Sequence, residues 1–341
     1  MNLTKPNHGD SSMIRNKPGA SFLLSVAILS LGLASCATVP KEVYLVEPSS
    51  LLETSPQIYI RSSGGVLRDL TEGMDEEELL GLSRSFAESR KGSPSPSSQG
   101  YRPQGLKKST IDFVLKRSRT FGAGLSGLSG IDGSPPSLEA LMVGDFSSFP
   151  IRLGLALDGG WKRTAEGGYD ALEYPIHIRP LSPGIVHVSS DPAPRSIKPQ
   201  LPAYPDAFEK VARSDLFISI NDPKLLLRTP FPLEGFSLPL RALALSGNFS
   251  DPYLLGKDSQ TEANAKYDLE LRILMNDEAS ARMYRPVARF VWAALATRLL
   301  GTKSAAASLI PEQEGPVYVV RGILMGTEAL KSLLAAVAQG L

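Results

Sequence analysis

Apolar residues first gather in one block, GASFLLSVAILSLG over 19–32, and afterwards fall into shorter periodic runs. The block is too short for a comfortable transmembrane helix, which needs roughly 20 apolar residues. Beyond it, residues 43–46 read as a first strand. Residues 57–61 alternate apolar and polar and end at Gly64-Gly65, the pattern of a half-buried strand. Acids over 75–78 open a helix running towards Arg90, close to the positive end of its dipole. Residues 92–98, GSPSPSS, compose a loop. Ser109 or Thr110 is placed to cap a helix through Ile111, Val114 and Leu115. A buried strand is predicted over 138–146 and a helix from Pro150. Strands over 174–179 and 185–189 flank a turn at Pro183-Gly184.

The second half predicts strands over 216–220, 240–247 and 267–275. A long helix follows over 277–300, kinked or started by Pro286, then a strand over 317–324. Thr327 is placed to cap a last helix with Leu330, Leu333, Leu334 and Val337 on one face. Strands in hairpin-like succession, with others split by helices, predict an α+β fold rather than a doubly wound α/β one. The expected organisation is a leader over 1–35, a tether over 36–42, an N-terminal lobe over 43–190, a proline-rich linker over 191–205 and a C-terminal lobe over 206–341. Each lobe is read as a largely antiparallel sheet packed by helices. The run from Ala140 to Ser147, ALMVGDFS, echoes ALALSGNFS from Ala242 to Ser250. Duplication of one α+β unit and chance likeness of two strand ends both fit this echo.

The formal net charge is +1, so composition offers no electrostatic case for nucleic-acid binding or a polybasic membrane contact. A hydrophobic fraction of 42% argues against wholesale disorder. Residues 36–341 suffice for a large core.

The single cysteine, Cys36, ends the tetrad Leu33-Ala34-Ser35-Cys36 directly behind the apolar block. Arg15 and Lys17 precede that block. A basic flank, a short apolar core and small residues at the cut site are the parts of a secretory signal. Met13 is an alternative start that gives a leader of more ordinary length. The tetrad resembles the lipobox of bacterial lipoproteins. That resemblance implies cleavage before Cys36, diacylglycerol on its thiol and membrane attachment through several acyl chains, each buried methylene contributing roughly 0.8 kcal/mol. Ala37, where an aspartate would signal inner-membrane retention, leans the expectation towards the outer membrane. The lipobox resemblance covers 1–36; the remainder loosely resembles envelope lipoproteins of spirochaete type, without a motif that fixes a family. About six residues separate Cys36 from the first predicted strand, a reach of roughly 20 Å.

Candidate chemistry is sparse. Gly122, Gly124 and Gly127 satisfy the G-x-G-x-x-G pattern, but that pattern has force only between a strand and a helix. A helix is predicted before it and more loop after it, so it reads as a surface loop. If Arg179 pairs with Ile185, His177 stands opposite His187, a candidate metal pair lacking a third ligand. Arg282, Arg285 and Arg289 cluster on one side of the long helix, with Met283, Val287, Phe290, Val291 and Ala294 expected on its core side. The arginines suit an acidic partner or lipid headgroups, and equally a solvated face. Trp161 is placed where a helix ends, as a ligand anchor or a lobe-closing side chain. No nucleophile elbow, H-E-x-x-H helix or P-loop is present.

These observations lead to a non-enzymatic, lipid-anchored envelope protein, an interaction or scaffold module contacting another envelope protein, with no cofactor. The second reading is a carrier or receptor for a small or lipidic ligand in a cleft between lobes. The third is an envelope hydrolase, which requires two converging carboxylates or a histidine beside a serine and an acid.

Overall fold

Prolines and glycines cut the chain into the strands that its apolar pattern predicts. The computed structural model describes residues 39–72, 114–128, 136–157, 159–172, 175–190, 203–222, 239–249, 266–300 and 309–340. The leader, Leu33, Ala34, Ser35 and Cys36, the helix predicted over 75–90, the loop over 92–98 and most of the linker lie outside the described residues.

Twelve described strands form one antiparallel sheet. In the first half they are β1 (Ile58–Ser63), β2 (Ser118–Ser126), β3 (Ser137–Gly144), β4 (Trp161–Arg163), β5 (Tyr169–Ala171), β6 (His177–Ser182) and β7 (Ile185–Ser189). The second half adds β8 (Leu216–Ile220), β9 (Leu240–Phe249), β10 (Tyr267–Met275), β11 (Glu312–Glu314) and β12 (Val317–Met325). Their order is β11-β12-β10-β9-β8-β1-β2-β3-β7-β6-β5-β4. The described helices are α1 (Gly64–Thr71), α2 (Ser148–Leu157), α3 (Glu278–Leu300) and α4 (Thr327–Gly340), with a further helical turn over 114–117 leading into β2. The protein is an α+β fold.

The two halves of the chain meet in the middle of the sheet, where Ile60 of β1 faces Ile218 of β8. One sheet therefore passes through both predicted lobes. Each half runs through three successive paired strands, then a helix, and ends in a hairpin whose second strand returns to the third: β1-β2-β3, α2 and β6–β7, against β8-β9-β10, α3 and β11–β12, with β4 and β5 added between α2 and β6 in the first half only, among the described residues. This connectivity matches β3 with β10, whereas the echo in the sequence lies on β3 and β9.

Alternation along the central strands divides the core between the two faces of the sheet. Ile58, Ile218, Ile220 and Leu269 pack with Val66 of α1, Trp292 of α3 and Leu330 of α4. Tyr59, Phe217, Ala244 and Val319 face the other way, against Leu52, Phe208 and Ala212. Because both faces are covered, β8 is buried at every position.

Four local readings are corrected. Residues 43–46 are not a strand: Lys41–Leu45 is a 3₁₀ turn, with Val43 N–H donating to the Pro40 carbonyl at 3.1 Å. Prolines at 40 and 48, which lack the backbone N–H that a ladder needs, bound this segment. The G-x-G-x-x-G segment is no surface loop, since Gly122 and Gly124 lie within β2. A β-carbon on Gly122 would lie 2.4 Å from Pro48 Cβ, so glycine here permits close approach of the N-terminal segment.

The hairpin register also differs. Ser182 pairs with Ile185 around Pro183-Gly184, and an irregularity after Pro180 shifts the ladder, so Arg179 rather than His177 stands opposite His187. Gly184 takes φ +88°, the left-handed conformation that closes this tight turn. Finally, α3 is rotated from its expected phase. Met283 and Phe290 are 69% and 67% exposed, while Ala281, Trp292 and Ala296 are buried. Trp292 has the largest apolar surface on the helix, and its burial sets the phase.

Candidate functional site

Glu139 is an acid inside an otherwise apolar strand, and the fold builds a buried polar network around it. It shares a face of β3 with Leu141, whose ladder partner is His187 of β7, so Glu139 and His187 meet diagonally. His187 Nε2 lies 3.0 Å from Glu139 Oε1. The 3₁₀ turn at Pro48–Leu51 delivers the next segment to the same place. There the Glu53 N–H donates to Glu139 Oε1 at 2.5 Å and the Thr54 hydroxyl to Oε2 at 3.3 Å. Glu53 in turn accepts from Arg179 Nη2 at 2.6 Å. Glu53 and Glu139 are each 5% exposed and His187 is 1% exposed. His187 Nδ1 has no hydrogen-bond partner among the described residues.

Glu53, Glu139 and His187 each present a ligand atom within 4.8 Å of the others. Carboxylate oxygen and imidazole nitrogen suit zinc. Arg179, however, already neutralises Glu53, and backbone N–H groups already engage Glu139. Buried carboxylates need such partners, and here the partners tie residues 53–54 to β3, β6 and β7.

The sequence pointed to His177 and His187 as a pair. The structure separates their roles: His177 Nδ1 sits 2.7 Å from Asp170 Oδ1 on β5, while His187 joins the acids. Glu139 and Glu53 escaped the sequence reading because their partners lie 48 to 126 positions away. The available signal was an acid within the apolar run 138–143. Glu173 and Asp191, the acids nearest the histidines in sequence, lie outside the described residues.

Arg282, Arg285 and Arg289 are all exposed on α3, and Arg282 pairs with Glu278 at 2.5 Å. They share solvent with Met283 and Phe290. Trp161 opens the edge strand β4, paired with Ala171 and half-buried, rather than closing a lobe.

The described surface carries one further apolar feature. Helix α2 contains no buried residue, although its sequence is SFPIRLGLAL. Phe149, Leu153 and Leu157 recur every four residues and are 49%, 39% and 78% exposed. The helix is held to the sheet by polar contacts, Tyr169 Oη donating to the Arg152 carbonyl at 3.1 Å and Arg152 Nη2 to the Pro180 carbonyl at 3.5 Å. An apolar row that does not serve the core is free to serve a contact.

No protein-family model matches the chain, and no curated protein matches it. Solved structures do. Crystal form III of TP0453, an envelope lipoprotein of the spirochaete Treponema, superposes with a TM-score of 0.52 at 15% identity, covering 85% of this chain and 98% of that one. Crystal form I gives 0.50 at 15% identity, with 86% and 98% covered, and form IV gives 0.50 at 13% identity, with 85% and 97% covered. At this identity the likeness is one of fold. Among the described residues no helix is long and apolar enough to cross a membrane.

Proposed function

We propose that this protein is a lipid-anchored component of a bacterial cell envelope, more specifically of the outer membrane, that works by contact rather than catalysis. Its contact surface is the apolar row of α2. The observation that carries this reading is a helix rich in leucine and phenylalanine whose apolar residues stay out of the core. The Cys36 lipobox and the short tether hold that surface near a membrane, and the fold likeness to TP0453 supports an envelope setting. The shared connectivity of the two halves supports internal duplication as the origin of the sheet. A protein partner is the leading occupant of the α2 face; the cleft-carrier reading has no comparable support.

The test is site-specific photocrosslinking in intact cells, with the probe at Leu153, at Leu157 or, as a control, at exposed Glu312 on the edge strand β11. The expected result is a discrete protein adduct from both α2 positions and none from Glu312. Adducts to lipid alone would transfer the surface from a protein partner to the bilayer. Labelling at α2 no stronger than at Glu312 would overturn the reading. Fatty-acid labelling that disappears in Cys36→Ala tests the anchor separately.

A further inference from the structure

Where β1 gives way to α1 and β2 begins, the surface opens into a cleft of about 360 Å³ whose lining is strongly basic. Arg68 enters from α1; Lys116, Arg117 and Arg119 enter from the turn leading into β2 and from its start. Among the described residues of the lining, the single acid, Asp145, is already engaged. It accepts from the Tyr44 hydroxyl and from Arg119 Nε at 3.3 Å. Four cations against one occupied carboxylate leave a marked local positive charge on a chain whose net charge is only +1. Lys116, Arg117 and Arg119 are neighbours in the sequence, and the packing of α1 against β2 adds Arg68 to them.

The walls of the cleft are tied down. Gly64 makes the close approach possible, since a β-carbon there would lie 1.9 Å from the Ser118 carbonyl oxygen. Arg68 Nη1 donates to the Leu115 carbonyl at 3.3 Å, and the Asp145 N–H donates to the Arg117 carbonyl at 2.9 Å. The Arg119 guanidinium lies 3.9 Å from the centre of the Tyr44 ring. Arginine and lysine arranged around a small polar cleft match the oxygen-rich, multiply charged surface of a phosphate group.

We infer that this cleft binds a phosphate-bearing anion. Two sources share that chemistry: the phosphate of a lipid headgroup and a free phosphate ester. Tyr44, packed beside the cleft, follows Cys36 by eight residues, so the intervening chain spans at most about 28 Å. With Cys36 acylated, the cleft lies within reach of the headgroup layer. That choice of source rests on the anchor reading above; the binding chemistry does not.

The test is calorimetric titration of the full chain in neutral detergent. One arm uses inorganic phosphate and glycerol 3-phosphate. The other uses mixed micelles with and without phosphatidylglycerol. Saturable binding that weakens at least tenfold in Lys116→Glu, and is retained in Lys116→Arg, is expected. Lys116 is exposed, so its replacement leaves the fold intact; Lys116→Ala serves as a second variant. Binding to phosphatidylglycerol micelles alone assigns the anion to a lipid headgroup, whereas binding of the soluble esters assigns it to the phosphate itself. No saturable binding in either arm, or Lys116→Glu and Lys116→Ala binding like the wild type, overturns the proposal. Failure of fatty-acid labelling at Cys36 would remove the anchor and leave these titrations unaffected.

Discussion

Glu139 Oε1 and His187 Nε2 lie 3.0 Å apart across the seam of β3 and β7, in a part of the sheet almost closed to solvent. The contact is one link of a chain that continues through the Glu53 backbone to Arg179. Its arrangement places a cation where a metal ion would otherwise be needed to neutralise Glu53.

Removing that cation is therefore informative. Arg179→Ala leaves a buried carboxylate without its partner and should cost about 3–5 kcal/mol of stability. The freed Glu53, with Glu139 and His187, then offers zinc an open set of ligands. Zinc should raise the melting temperature of Arg179→Ala and barely move that of the wild type, as scanning calorimetry can check. An equal zinc response in both would mean that the triad is a metal site in its own right.

Asp69 fastens three elements together. It accepts from Lys266 Nζ at 2.8 Å, Tyr267 Oη at 2.6 Å and Thr327 Oγ1 at 2.6 Å, linking α1 to β10 and to the start of α4. Burial pushes its carboxyl upward, but the hydrogen bonds from Lys266, Thr327 and Tyr267 together outweigh it and hold the group below the ordinary aspartate value of 3.8. A depressed folded-state value means that the stabilisation is complete above 3.8 and is lost as pH falls through the lower, folded-state value. Asp69→Asn should cost about 1–3 kcal/mol at neutral pH. It should also flatten the acid limb of the stability profile below 3.8, measured by urea unfolding across pH. An unchanged acid limb would show that other carboxylates dominate there.

The phase of α3 can be read from two truncations. Trp292 is 4% exposed and Phe290 is 67% exposed, two residues apart on the same helix. Trp292→Ala should cost about 3–5 kcal/mol through lost burial and a cavity. Phe290→Ala, on the open side, should stay within about 0.5 kcal/mol. Chemical denaturation of the two variants checks this, and comparable losses would return the helix to the phase its sequence suggests.

Much of the fold was legible where one property dominates a short stretch. The strands at 185–189, 216–220 and 267–275 were read to the residue, because β-branched and aromatic runs there end abruptly at prolines, glycines or polar residues. The register of the β6–β7 hairpin was not legible. An irregular step after Pro180 moves the ladder without leaving a mark in the pattern of apolar residues. Helix α3 carries apolar residues around much of its circumference, so several phases satisfy the same periodicity. The buried network was half visible: Glu139 stands out in its strand, but nothing local connects it to Glu53, 86 positions earlier.

By itself, the sequence determined most of the described strands and helices, because each depends on a few neighbouring residues and their spacing. Tertiary structure alone decided that β1 and β8 join two halves into one sheet, that Arg179 and His187 converge on two buried acids, and that Arg68 joins the basic run over 116–119 at one cleft. It also decided that the apolar row of α2 stays outside the core. Those outcomes depend on which strand edges pair, and in what register, between segments up to about 160 residues apart. Hydrophobic periodicity records which side of an element is apolar. It does not record which distant element will cover that side, and the candidate contact surface is a side that no described element covers.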